Sequence, residues 1–242
     1  MQNLTKIRLN NGNHIQLLYR SSRRSKRICI RLVPGYGFFE LVVPEGTPMW
    51  TVRNFVIKNE VWLNERQTKL GTWRPFTEGL EFPFRGQNLL IEIKWHGITE
   101  INLHGNRLIV FTKNRNLNCL VTDWIKNHGK KRFTHLCEEK AAFLGKSINR
   151  VTVRDTKTRW GSCSSKGNLN FSWRLIMAPD FVSDYLAAHE VAHLACMNHS
   201  PKFWAIVKTL TPYTNEARNW LYYNGNSLHF FGGTNNYPRP LA

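Results

Sequence analysis

The chain has 242 residues, 42% hydrophobic and 12% aromatic, enough to bury one substantial core or one core with a smaller companion domain. That composition excludes a largely disordered chain, and no apolar run reaches the roughly 20 residues that a membrane-spanning helix needs. Thirty-four Lys and Arg against 16 Asp and Glu leave a net charge of +18, a field that suits a polyanion such as nucleic acid as well as it suits plain solubility.

Residues 1–6 contain no basic segment followed by an apolar stretch, so no secretory signal is expected and the cytoplasm is the expected location. Alternation over residues 27–33 and 38–43, with Pro34-Gly35 between them, predicts two strands joined by a turn. Residues 48–69 read as one helix, with Pro48 in its first turn and Val52, Phe55, Val56, Val61, Trp62 and Leu63 on its buried face. Short strands follow at 89–93, 99–103 and 107–111, with turns at Gly97 and at 104–106. Residues 117–144 read as a helix with Leu120, Trp124, Phe133, Leu136, Ala141 and Leu144 toward the core. Gly129 weakens that helix by about 1 kcal/mol relative to alanine, and Gly145 is a natural stop. A hairpin is expected from 150–154 to a return strand at 168–175. A helix then begins after Ala178-Pro179-Asp180 and runs to about Cys196. Ser200-Pro201 opens another that ends near Leu210. No internal repeat or low-complexity linker is visible.

The five cysteines, Cys29, Cys119, Cys137, Cys163 and Cys196, are scattered and form no CxxC pair, which speaks against a disulfide scaffold and a four-cysteine zinc site. Two basic clusters stand out, Arg20, Arg23, Arg24, Lys26 and Arg27, and then Lys126, Lys130, Lys131 and Arg132. Neither carries the interleaved aromatics of a single-strand binding platform.

The residues that carry chemistry are His189-Glu190-Val191-Ala192-His193. Histidines four apart on a helix share one face, so both imidazoles can reach one metal ion at Zn–N distances of about 2.0–2.1 Å. Glu190 is then placed to take a proton from a water that the metal acidifies. Residue frequencies in this chain generate such a string by chance only roughly 0.02 times, which leaves a core helix with two satisfied histidines as the weaker alternative. A catalytic zinc needs a third protein ligand and an open position. His199 stands six residues after His193, completing the HExxHxxxxxH spacing, although Cys196 occupies the place where metzincins carry glycine. Glu216 is the alternative third ligand, from a later helix.

The strings Arg159-Trp160-Gly161-Ser162-Cys163, Asn170-Phe171-Ser172-Trp173-Arg174-Leu175, the HExxH segment and Asn198-His199-Ser200-Pro201-Lys202-Phe203-Trp204 together resemble the YgjP-like metallopeptidase family, which is related to the SprT-like and WLM proteases. The resemblance is strongest over residues 120–221. It implies an α+β fold with a small zincin-like domain, one Zn2+ per chain held by His189, His193 and His199, and Glu190 as catalytic base. The expected organisation is a β-rich N-terminal region with one helix over residues 1–112, and the zincin-like metallopeptidase domain over 113–242. In zincins an edge strand beside the site helix pairs with an extended peptide, and the strand at 168–175, with Asn170 and Ser172, is the candidate here. Arg159 and Trp160 either anchor their loop or touch substrate, and Tyr185 or Tyr213 is a candidate to stabilise an oxyanion. The expected partner is a peptide or protein. The +18 charge keeps open a nucleic-acid-binding protein with a structural zinc, or a protease recruited to DNA.

Overall fold

The computed structural model describes residues 4–9, 12, 14–33, 38–67, 73–95, 97–113, 116–156 and 158–233. The fold is mixed α+β, N-terminal sheets followed by helices that carry a histidine cluster. The described residues pack into two compact units, one ending at Arg74 and one spanning Pro75–Gly233. No helix among them is long and apolar enough to cross a membrane.

The first unit holds β1 (Leu4–Arg8), β2 (His14–Ser22), β3 (Cys29–Val33) and β4 (Phe38–Pro44) in the order β1-β2-β4-β3, with β2 and β4 parallel and the other pairs antiparallel. Alternation along β2 and β4 turns Ile15, Leu17, Phe39, Leu41 and Val43 to one face, where they pack with Val52, Val56 and Leu63. The single helix expected over 48–69 is two, α1 (Met49–Lys58) and α2 (Glu60–Gln67). The break falls at Asn59, whose side chain donates to the Phe55 carbonyl at 2.7 Å, and Pro48 caps α1 from an extended backbone rather than sitting inside it. Leu63 is buried with Val52 and Val56, at the helical spacings of four and seven, whereas Val61 and Trp62 fall off that face and are exposed. The turn at Pro34-Gly35 and the helix end at Lys69 lie outside the described residues. The first basic cluster presents less open charge than its count implies, because Arg20 pairs with buried Glu40 and Arg23 with Glu45, each at 2.8 Å.

The second unit begins with β5 (Glu81–Phe84), β6 (Gln87–Lys94), β7 (Glu100–His104) and β8 (Arg107–Phe111). Their order, β5-β6-β8-β7 with a parallel β6/β8 pair, reproduces that of the first sheet, a topological repeat with no counterpart in residue pattern. Next comes α3 (Leu117–Phe143), then β9 (Arg150–Arg154), β10 (Gly161–Cys163) and β11 (Asn168–Ser172), a 3-10 turn at Trp173–Met177, α4 (Asp180–Ala192), α5 (Pro201–Leu210), α6 (Thr214–Asn224) and a last 3-10 turn at Gly225–Phe230. The expected hairpin between 150–154 and 168–175 is not formed. β11 pairs in parallel with β9 and antiparallel with the short β10 between them in sequence, and residues 173–175 leave the sheet for the 3-10 turn. Phe133 of α3 stacks on Phe171 of β11 at 4.3 Å, and α3 contributes Val121, Ile125 and Leu136 to the same core as Trp173, Val182 and Leu186.

Two acidic residues one turn apart fasten α4. Asp180 accepts two hydrogen bonds from Arg85, Nε at 2.9 Å and Nη2 at 2.7 Å, and the guanidinium holds the Asp180 carboxyl below its usual range. Arg85 sits in the β5–β6 turn with φ 52°, in the left-handed region, and its N–H donates to the Ile176 carbonyl at 2.9 Å. Asp184 pairs with buried Lys140 of α3 at 2.7 Å and accepts from the Thr211 hydroxyl at 2.6 Å, while Lys140 also donates to the Leu210 carbonyl at 2.9 Å. These bonds set the axis and rotation of α4 before its last turn, where the site lies.

Candidate metal centre

α4 carries His189 and Glu190 in its last turn, and His193 is its C-cap, with φ −64° and ψ −20°. The chain leaves the helix there and loops back through residues 194–200 before α5 starts. In that loop the Cys196 carbonyl lies 3.1 Å from His193 Nδ1, a contact that places the proton on Nδ1 and leaves Nε2 as a ligand atom. Asn198 Oδ1 accepts from the Ser200 N–H at 3.3 Å and from the Cys196 thiol at 3.2 Å, which tightens the turn under His199. Ser200 caps α5 by backbone conformation alone; its hydroxyl is turned to Cys196 at 3.4 Å.

One ligand nitrogen each from His189, His193 and His199 lies within 4.8 Å of the other two, and His189 Nε2 is 3.2 Å from His199 Nε2. Two ligands on one tetrahedral zinc, with Zn–N bonds of about 2.0–2.1 Å, stand about 3.3–3.4 Å apart. The donor set and the shortest spacing therefore suit a zinc ion. Glu216 is not part of this or any other such group among the described residues. Phe203 of α5 is fully buried and forms a floor under the cluster, its ring 4.9, 4.6 and 4.7 Å from those of His189, His193 and His199.

Burial lowers the His189 pKa to about 4, with help from His193, His199 and Arg218, and burial also lowers that of His193. Both imidazoles are therefore neutral near pH 7, the form that binds a metal. Glu190 is 4% exposed, and burial raises its carboxyl to about 7. Across the sheet–helix contact it meets Gly161 of β10: a Cβ there would stand 2.8 Å from both Cγ and Cδ of Glu190. Gly161 is needed for space, not for backbone conformation.

The three histidines and Glu190 line a cavity of about 310 Å³ with Arg159, β10 and Met197. Cys163 belongs to that lining but not to the ligand cluster. Burial and the nearby Glu190 raise its thiol to about 11, so it is protonated, and it lies 3.4 Å from the Ser164 carbonyl. Trp160 instead packs against the last 3-10 turn, 5.2 Å from the His229 ring. Tyr185 packs edge-on to His189 at 5.9 Å, whereas Tyr213 sits against Phe181 at 6.1 Å.

The strand expected to bind substrate requires a correction. β11 lies between β10 and β9, so both of its edges are taken. Asn170 bonds to Thr152 at 3.1 Å and Ser172 is fully buried, and neither lines the cavity. The edge beside the cavity belongs to β10. The Ser172 N–H donates to the Trp160 carbonyl at 2.8 Å and the Ser164 N–H to the Asn168 carbonyl at 3.0 Å. Antiparallel alternation then turns the main-chain groups of Gly161 and Cys163 away from β11.

Fold and site thus describe a metallopeptidase domain, in which an HExxH helix and the loop after it gather three imidazoles beside a buried glutamate. The chain belongs to the YgjP-like family: residues 26–224 match its metallopeptidase domain. A solved structure with partial similarity is the metallopeptidase zymogen of Pyrococcus abyssi abylysin, 23% identical over 38% of this chain and 93% of that one, with a TM-score of 0.35. No curated protein matches the sequence.

Proposed function

We propose that this chain is a zinc-dependent peptidase that hydrolyses peptide bonds, with His189, His193 and His199 as the metal ligands and Glu190 as the general base. The observation that carries the reading is the convergence of three ligand nitrogens within 4.8 Å in one cavity with a buried carboxylate. Zinc held there supplies Lewis acidity, polarising a carbonyl and lowering the pKa of a water molecule.

The protein's own residues supply the rest. The free edge of β10 pairs with an extended peptide through the main-chain groups of Gly161 and Cys163, which fixes the substrate backbone along the cavity. The Glu190 carboxylate takes a proton from water as the new C–O bond forms, and returns it to the amine nitrogen as the C–N bond breaks. The Cys196 carbonyl holds the His193 tautomer, and Phe203 closes the floor of the cluster against water. Arg159, at the cavity wall, is placed to touch substrate, while Trp160 anchors the loop.

The test is metal analysis of the purified chain together with a protease assay. One zinc per chain and chelator-sensitive cleavage are expected. A protein that cleaves equally well after zinc is stripped overturns the reading.

A further inference from the structure

Beside the metal centre lies a second, larger cavity of about 680 Å³. The two are continuous in their lining, because His193 and Met197 belong to both. Its far walls are the loop before β9 and the β10–β11 turn, which bring Lys146 and Lys166 to it along with Ser147, Ser164 and Ser165. No Asp or Glu lines it, and neither lysine forms an ion pair among the described residues.

The walls are tied together rather than merely adjacent. The Asn149 N–H donates to the Gly167 carbonyl at 3.0 Å, Asn149 Nδ2 to Asn168 Oδ1 at 2.8 Å, and the Gly167 N–H to the Ser164 carbonyl at 2.9 Å. Gly167 takes φ 69°, and a Cβ there would stand 3.4 Å from the Asn149 nitrogen and 3.6 Å from Leu194 Cδ2, so the turn lies beside both the loop before β9 and the loop that follows α4. The cavity is thus a formed concavity with two cations, several hydroxyls and no internal counter-charge.

We propose that this cavity is a specificity subsite that takes an acidic side chain of the substrate, an Asp or Glu near the scissile bond. The inference rests on the peptidase reading and on β10 as the strand that aligns the peptide. Ser164–Gly167 continue directly from β10. Because His193 and Met197 line both cavities, a peptide paired on that edge and advancing about 3.3 Å per residue brings positions near the bond being cut over the second cavity. Lys146 and Lys166 are both exposed at the cavity rim, and a carboxylate seated between the two walls meets both, so that their fields add.

The test reads binding, apart from hydrolysis, in the full chain loaded with zinc. Two fluorescent hexapeptides, identical except that one carries Glu where the other carries Gln, are titrated at about 0.15 M salt. The parent is compared with Lys146→Glu/Lys166→Glu and with Lys113→Glu/Lys208→Glu, which makes the same change in net charge at exposed positions away from the cavity. The Glu peptide is expected to bind the parent at least fivefold more tightly than the Gln peptide. That preference is lost or inverted in the first variant and kept in the second. A parent without the preference, or equal loss in both variants, overturns the subsite. Absence of cleavage with the preference intact counts against the peptidase reading instead.

Discussion

Gly161 and Glu190 stand so close that a methyl group on the glycine would lie 2.8 Å from both Cγ and Cδ of the glutamate. Real Cβ contacts do not reach that distance, and neither partner has an easy retreat: Glu190 is 4% exposed on α4, and Gly161 is in β10. The contact makes β10 a wall that sets the position of the carboxylate. Gly161→Ala is therefore expected to displace Glu190 while leaving the histidines in place. Zinc content should stay at the parent level and kcat/KM should fall on the order of 100-fold, the cost of moving a catalytic group by about 1 Å. Parallel metal analysis and peptide-cleavage kinetics check this, and unchanged kcat/KM would show that the carboxylate is not where the chemistry occurs.

Glu190→Gln separates binding from chemistry. Zinc should be retained and hydrolysis should drop at least about 100-fold. The same variant has a stability signature in the metal-free protein. The folded carboxyl, at about 7, lies above the ordinary glutamate value of 4.5, so between those pH values the folded state holds its proton more tightly than the unfolded state does. The parent therefore loses stability as pH rises from 4.5 through 7, by about 3 kcal/mol in all. The glutamine variant lacks this loss, so it should gain on the parent by that order between pH 4 and pH 8 in urea denaturation. A difference that does not vary with pH refutes the burial argument.

The third ligand is tested by comparing His199→Ala with Glu216→Ala. Only the first should lose zinc, and only in the first should the thermal midpoint stop responding to added zinc. In the parent, zinc at about 100 times its Kd stabilises by about 2.7 kcal/mol. Zinc loss in Glu216→Ala with retention in His199→Ala reverses the assignment.

Lys140 is the buried tie between α3, α4 and the end of α5. Lys140→Met removes the cation beside Asp184, which keeps only its hydrogen bond from Thr211. A loss of about 2–4 kcal/mol is expected, measured by denaturant unfolding at neutral pH. Most of it should disappear in Lys140→Met/Asp184→Leu, where no unpaired charge remains. If the double variant is as unstable as the single one, Lys140 acts through packing and not through its charge.

The HExxH string, the later His199 and the helix that carries the motif are legible from residues alone, because helical periodicity is local and histidines four apart must share a face. Most strands and α3–α5 are legible for the same reason. Partner choice among strands is not. The residue pattern of 168–175 is that of any half-buried strand, and only the pairing order shows β11 enclosed on both sides and β10, three residues long, holding the open edge among the described residues. Likewise, strands give way to helices near residue 112, but β5–β8 belong to the compact unit that starts at Pro75. Their residues Phe82, Leu89, Ile91 and Leu108 share a core with α3 and α4.

What the sequence by itself determined is the chemistry: which side chains could bind a metal, and on what local scaffold. The tertiary structure alone decided how the site is enclosed. Gly161 enters the sequence only as one residue of the 159–163 string, and its need for space appears when β10 and α4 are brought into contact. Phe203 enters the sequence only as one residue of the 198–204 string, and the structure shows its ring meeting all three imidazoles. Close approach between distant segments is a property of packing, and packing has no period in the chain that could announce it.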